Sequence, residues 1–423
     1  MSDDRPRDDD TGDMGRPPSD DRQLAEEATE VPQDRGFFAE LTGVGVNWRQ
    51  ALLVPILAVL TALILGSFVI AFTDIDLIKR WFDHPWDAFT DTVSIVWNAY
   101  EALFLGAFGG LRAISETLVA AAPLILAGLA VGIGFRAGLF NIGVQGQMLV
   151  GGMFAAYAGF EFRALPPILH VIVALAFGAV GGAMWGAIPG LLRAKTGAHE
   201  VITTIMLNFI ALRGVDYLLK TALFQAPGRD DPISQTIATS ASLPRLFGFL
   251  DRSDIRVHAG ILVALAAAWF IYWLLFKSTI GFEFRAVGQN PHGAHYAGMS
   301  VTWIYVSVMA VSGALGGLAG SNEILGVLNR ATPGFAGTIG FDAIALALLG
   351  RSHPAGIVAA GLLFGALRAG GQEMQVVTDV PIDLILVLQA LIVVFIAAPA
   401  LIRAIYRVRT EGKAAQVSKG WAT

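Results

Sequence analysis

From residue 51 onward the chain alternates long apolar runs with short polar turns. About 20 helical residues cross a hydrocarbon core of about 30 Å, and windows of that kind with few or no charges recur at 51–72, 117–134, 168–192, 259–276, 301–320 and 382–402. Taken with the breaks between them, the hydropathy pattern predicts ten helices near 51–72, 113–134, 142–160, 168–192, 200–219, 259–276, 301–320, 338–350, 354–372 and 382–402. The eighth differs from the rest. Residues 338–350 supply 13 positions before "RSHPAG", which suits a half-helix or re-entrant segment. A nine-span reading would move the C-terminus to the other side. Either way the expected fold is all-α, a polytopic membrane protein.

The polar stretches set the rest of the organisation. Residues 1–48 are too charged and too rich in proline to bury apolar surface, and read as a disordered tail. They lack the basic start and apolar core of a signal peptide, so the first span is expected to act as an uncleaved anchor. The membrane domain is expected over 49–405, followed by a basic tail at 406–423. Segment 73–112 mixes Trp81, Trp86, Trp97 and Tyr100 with acids and short apolar runs, the pattern of a helix lying at a membrane interface. Segment 220–258 is polar and contains proline, as an external cap would. Basic clusters at "LLRAK" (191–195), "FKSTIGFEFR" (276–285) and "RAIYRVRTEGK" after the last span fall on one side of a ten-helix chain, which places both termini in the cytoplasm. Lys79, Arg80, Arg245, Arg252 and Arg256 fall on the other side, within long segments that weigh little in this rule.

Composition agrees with the pattern. Apolar residues make up 55% and charged residues 15%, against about 25% charged in an average soluble domain, and the mean hydropathy is +0.61. The net charge of −5 carries no sign of a nucleic-acid partner, since much of the acid sits in the first 40 residues. With no cysteine, disulfides, thiolate metal sites and cysteine catalysis are excluded. Forty-eight glycines suit close helix crossings in a membrane bundle.

Chemistry-bearing motifs are sparse. "PGLLRAKT" (189–196) has Pro189 and Ala194 where a phosphate-cradling loop needs glycine, so it is no nucleotide site. No His/Glu cluster has metal-ligand spacing, and His292 and His295 read as solvated. Neither a metal nor another cofactor is expected, and no nucleophile with a base points to an enzyme. Polar groups inside the apolar runs are more informative. Asn141, Gln145 and Gln147 crowd a glycine-rich stretch close to Arg136, which suits a discontinuous helix of the kind transporters place at solute sites. Amides of this kind also hold neighbouring helices together. Asp342 and Arg368 stand in neighbouring runs and are expected to pair, because a lone mid-bilayer charge costs roughly 2.5–3.5 kcal/mol. Glu116 and Glu200 fall near span ends, within expected reach of interfacial water.

The loop "KSTIGFEFRAVGQNPHGAHYAGMSV" (277–301) contains a short helix with a stop at each end. Asn290 can cap it, Pro291 suits its first turn, and Gly298 is placed to end it. Such a helix suits docking to a separate motor, and equally a plain connecting turn.

Four stretches in this chain carry a resemblance: "FRAGLFNIGVQGQMLVGG" (135–152), "KTGAHEVITTIMLNFIAL" (195–212), "TIGFEFRAVGQNPHGAHYAGM" (279–299) and "GFDAIALALLGRSHPAGIVAAGLLFGALRAGG" (340–371). In content and order the chain resembles permeases of ATP-binding-cassette importers, in the branch that includes ribose and branched-chain amino acid importers. It most resembles the nucleoside and simple-sugar permeases that work with lipoprotein receptors of the basic membrane protein type. One position departs: the family commonly has Glu after "NIGV", and this chain has Gln145.

The resemblance implies a transport subunit for nucleosides or a simple sugar, paired with a second and related permease chain in the membrane lipid. It also implies a cytoplasmic ATP-binding subunit as motor and an external lipoprotein receptor. On this reading segment 277–300 couples to the ATPase through Arg285, Asn290, Pro291, His292, His295 and Tyr296. The solute pathway is expected at Phe140, Asn141, Gln145, Gln147, Asn208, Phe341 and Asp342, with the two phenylalanines as stacking surfaces for a base. An ion-coupled secondary transporter would share the hydropathy and the glycines, and is the alternative at this stage.

Overall fold

The computed structural model describes residues 48–72, 75–248, 252–378 and 383–407. The expected disordered tail at 1–48 and the basic tail at 406–423 lie almost entirely outside these residues. Fifteen α-helices are formed among the described residues, with no strand. They are α1 Trp48–Ala71, α2 Ile75–Asp83, α3 Pro85–Phe108, α4 Leu111–Arg136, α5 Val144–Glu161, α6 Pro167–Thr196, α7 Glu200–Leu218 and α8 Gly260–Lys277. There follow α9 Thr279–Gln289, α10 Pro291–Tyr296, α11 Val301–Asn322, α12 Ile339–Leu349, α13 Pro354–Thr378, α14 Asp383–Ala397 and α15 Pro399–Tyr406. A π-helical turn, Glu323–Leu328, prolongs α11 and stops at Asn329, which takes a left-handed conformation.

Six helices are long and apolar enough to cross a membrane by length and composition: α4, α6, α7, α8, α11 with its π turn, and α13. The expectation of about ten crossings goes beyond these six. Ile56–Ala71, α12 and Asp383–Ile396 are apolar but shorter. In α5 the glutamines Gln145 and Gln147 dilute the apolar content. With 11 residues, α12 measures only about 16 Å, half a hydrocarbon core.

Centrally placed, α4 is buried on every side from Leu124 to Gly134. Beside it, α6 and α11 cross with almost no side chain between them. A Cβ on Gly182 would lie 2.2 Å from the Gly313 carbonyl oxygen, and one on Gly317 2.1 Å from that of Gly178. Glycines four residues apart on both helices line this seam, so the backbones touch where larger residues would hold them apart.

Most of segment 73–112 is α3, a 24-residue helix packed along α13. Small residues on one face explain this: Ala99, Ala102 and Ala107 are buried. Gly106 meets Gly370 and Glu373 of α13, and the Tyr100 hydroxyl donates to the Leu63 carbonyl of α1 at 2.5 Å. Trp86, Phe89, Trp97 and Phe104 remain exposed on the other faces.

Among its described residues segment 220–258 is irregular, with isolated bridges and a 3-10 turn at Thr239–Ala241. It closes over one end of the bundle through backbone bonds, Ala238 N to Gly159 O, Leu243 N to Leu325 O and Ile237 N to Asn329 O. Ile237, Leu243, Ile255 and Val257 are buried beneath it.

Candidate functional site

Between α4 and α5 the helix breaks, and the amides satisfy the groups the break exposes. The first N–H groups of a helix have no partner within it. Asn141 Oδ1 accepts from Gly143 N at 2.8 Å, and Asn208 Oδ1, from α7, accepts from Gly146 N at 2.8 Å. Asn208 Nδ2 donates to the Ile142 carbonyl at 2.9 Å. Asn141 Nδ2 donates to Gln147 Oε1 at 3.2 Å and to Ser312 Oγ of α11 at 2.7 Å, and Ser312 Oγ in turn donates to the Ala130 carbonyl. Asn141 is 0% and Gln147 1% exposed, so this network is sealed within the packing of α4, α5, α7 and α11. The Phe140 ring lies tilted against Phe135 with centroids 4.7 Å apart, and its N–H reaches Glu200 Oε1. Glu200, expected near water, is buried and paired with Arg193 at 3.4 Å because the break folds over it.

Gln145 faces the opposite way, toward the segment that precedes α12. Its Nε2 donates to the Gly337 carbonyl at 2.7 Å and its Oε1 accepts from Gly340 N at 2.9 Å. One turn further on, Asp342 forms an ion pair with Arg368 of α13. Thr338 ties the two, donating to Asp342 Oδ2 at 3.0 Å and accepting from Arg368 at 3.1 Å. The partly buried setting of this pair explains its completeness, since charges there require both a partner and further hydrogen bonds. Phe341, beside it in sequence, is 49% exposed.

Thr338 and Arg368 also form part of the wall of a cavity of about 520 Å³ between α4, the π turn, α13 and α14. Its polar lining includes Glu116, Arg256, Glu323, Gln372 and Gln389, and Phe335 adds a ring. Arg256 pairs with Glu116 at 3.3 Å. Among the predicted pathway residues none lines this cavity directly; Asp342 reaches it through Arg368 and Thr338. Sequence reasoning missed Glu323, Gln372 and Gln389. Gln389 had a legible signal, the single amide in the apolar run "LILVLQALIVV" (384–394).

At the far end of α4 the segment 277–300 folds as two short helices. Asn290 Oδ1 accepts from Gly293 N at 2.9 Å, Pro291 opens α10, and Gly298 follows it with φ +85°. Ala294 anchors α10 from below, while His292, His295 and Tyr296 are exposed, Tyr296 by 92%. Arg285 lies over the Phe276 ring at 5.4 Å, and Arg136 over the same ring at 5.6 Å. Arg136 also donates to the Ser352 carbonyl at 2.9 Å. Where α9 ends, Gly288 meets the break itself: a Cβ on Gly288 would lie 2.5 Å from the Arg136 carbonyl oxygen, and one on Gly138 3.1 Å from Gly288 Cα. Ala120, at the cavity, and Arg136, at this contact, are 16 residues apart on α4, or roughly 24 Å.

An apolar bundle with a helix broken toward one end and a polar cavity toward the other suits a membrane permease. Residues 113–397 match the family described as branched-chain amino acid transport system / permease component, and the chain belongs to that family. It is 40% identical over 355 residues to the guanosine ABC transporter permease protein NupP of Bacillus subtilis, covering 83% of this chain and 94% of the relative. It is 35% identical to the glucose ABC transporter permease protein TsgB13 of Haloferax volcanii, covering 81% and 86%. A second guanosine permease protein of Bacillus subtilis, NupQ, is 30% identical over 63% of this chain and 85% of its own length. No solved structure matches the chain. The ion-coupled alternative is not favoured by these relatives.

Proposed function

We propose that this chain is one of two permease subunits of an ABC importer that carries nucleosides, or a simple sugar, across the cytoplasmic membrane. The observation that carries the reading is the contact of Gly288 with the Arg136–Gly138 turn, because it joins an exposed, capped helix to the break in the bundle. A cytoplasmic ATPase subunit pushing on α10 would act through α9 on that turn. Arg285, Asn290, Pro291, His292, His295 and Tyr296 form the coupling surface, and ATP is hydrolysed in the partner. The relatives NupP and NupQ, two guanosine permeases of one organism, support a second permease chain of related sequence.

On this reading ten segments cross the membrane: the six long helices together with α1, α5, α12 and α14. Both termini are then cytoplasmic, and segment 220–258 and the cavity face outward to a lipoprotein receptor. The pathway runs from the cavity past Asp342, Phe341 and Gln145 toward the break. Asn141, Gln147 and Asn208 serve it by holding the break open as a fixed joint, with Phe140 packed beneath.

The reading is tested by guanosine uptake in cells that carry the whole transporter, with and without its ATPase subunit, and by co-purification of that subunit. Uptake is expected to vanish without the ATPase. Undiminished uptake in its absence would return the chain to the ion-coupled class.

A further inference from the structure

Resting on the nucleoside-importer reading, we propose that the cavity between α4, the π turn, α13 and α14 is a solute station for uncharged, hydrogen-bond-rich molecules. Gln389, Gln372 and Glu323 make the polar contacts, and phosphorylated forms of the solute are turned away. Three features of the wall carry this. The first is an incomplete polar group: Gln389 is only 4% exposed, and its Nε2 has no hydrogen-bond partner. Buried amide donors are almost always satisfied, so an unsatisfied one on the wall of a cavity is complementary to an acceptor carried by a visiting molecule.

The second feature is charge. Both guanidinium groups on the wall are already engaged, Arg256 with Glu116 and Arg368 with Asp342. Glu323 forms no ion pair among the described residues. Of the carboxyl groups only Glu116 and Glu323 line the cavity, so a phosphate would meet no uncommitted guanidinium there, while the Glu323 carboxyl stands as a partner for hydrogen-bond donors. A nucleoside or monosaccharide brings N–H and O–H donors for Glu323 and acceptors for the amides. Its phosphate ester finds no unengaged basic group.

Size and shape are the third. A volume of about 520 Å³ lies inside the range of roughly 300–1,000 Å³ usual for small-molecule sites. Phe335, packed at the same wall, supplies an apolar face on which a base can stack. Neither Phe140 nor Phe341 lies there.

The absence of native cysteine makes a direct test available. Gln389→Cys and Gln372→Cys are placed one at a time in the complete importer. Each is labelled in membrane vesicles with cationic aminoethyl and anionic sulfonatoethyl methanethiosulfonate, and the rates are normalised to those of free cysteine. Both positions are expected to react, with the anionic reagent no faster than the cationic one; a faster anionic reagent would reveal an uncommitted cation on the wall and overturn the charge selection. Guanosine is expected to slow labelling at both positions, and guanosine 5′-monophosphate to leave it unchanged. If Gln389→Cys does not assemble, Gln372→Cys carries both arms. Labelling that is indifferent to guanosine in an importer that still takes guanosine up would overturn the site, as would equal protection by the nucleotide. If the importer takes up no guanosine, the functional reading fails, and the reagent ratio, which needs no solute, still decides the charge selection.

Discussion

Gln145 and Gly337 are joined by a 2.7 Å hydrogen bond in which the amide Nε2 donates to the carbonyl, while Oε1 of the same side chain accepts from Gly340 N at 2.9 Å. One side chain on α5 thus spans the turn that launches α12. An amide suits this position where a carboxylate would not: a carboxylate can accept from Gly340 but has nothing to offer the Gly337 carbonyl.

Gln145→Glu is therefore expected to lower both thermal stability and uptake. Losing this exposed hydrogen bond to the Gly337 carbonyl costs on the order of 1 kcal/mol. The measurement is the melting temperature of the purified permease complex alongside guanosine uptake. An unchanged melting temperature with normal uptake would show that the Gln145 clamp contributes nothing.

Much of this architecture is legible in the sequence because a bilayer forces long apolar runs and internal backbone bonding. The cap at Asn290, the start at Pro291 and the pairing of Asp342 with Arg368 follow from local chemistry or from the cost of a lone charge. Other features are not local. The packing of α3 along α13 depends on Ala99, Ala102 and Gly106 meeting Gly370, a contact between positions more than 260 residues apart in the chain. The cavity is hidden for the same reason, since Glu323, Gln372 and Gln389 each read alone as one polar residue in an apolar run. Which of two uses an amide serves is also set by its neighbours: Asn141 and Gln147 are sealed by Ser312 and α7, whereas Gln145 turns to α12.

The glycine contact between the coupling helices and the break gives a second expectation. Gly138 has φ +70°, and a Cβ on Gly288 would fall 2.5 Å from a backbone oxygen. Neither position accepts a side chain without moving α9 from the turn at 137–138. Gly288→Ala is expected to leave the ATPase bound, because α10 is untouched, while uptake falls by about tenfold, equivalent to 1.4 kcal/mol. Co-purification together with uptake checks it, and full transport by Gly288→Ala would show that force does not pass through this contact.

Asp342 and Arg368 offer a third test, by a double-mutant cycle. Removing either partner leaves a partly buried charge with Thr338 as its remaining partner in this network, so Asp342→Asn and Arg368→Met are each expected to lower the melting temperature. The double substitution is expected to be milder than the sum. A coupling of roughly 0.5–3 kcal/mol fits contacting residues in one network. Simple additivity in thermal unfolding would mean that the pair contributes to neither stability nor the shape of the cavity.

His258 gives the expected pH dependence. It closes segment 220–258 just before α8, is 2% exposed, and accepts from Gly260 N through Nδ1 at 3.2 Å. Its ring fills the space above Gly326, where a Cβ would come within 2.4 Å of Cε1. Burial, reinforced by Arg256 and Arg245, holds its pKa down to about 4, from an ordinary 6.5. Because the folded value is the lower one, the unfolded chain takes up this proton first as pH falls. The contribution of His258 is thus complete above pH about 6.5 and is lost progressively down to pH about 4. At pH 5 the loss amounts to about 2 kcal/mol. Thermal unfolding of the wild-type complex at pH 7.5 and 5 is expected to show a larger decrease than that of His258→Gln, whose side chain does not titrate, even if the variant melts lower at both. Identical decreases in the two proteins would remove His258 as the source of the acid sensitivity.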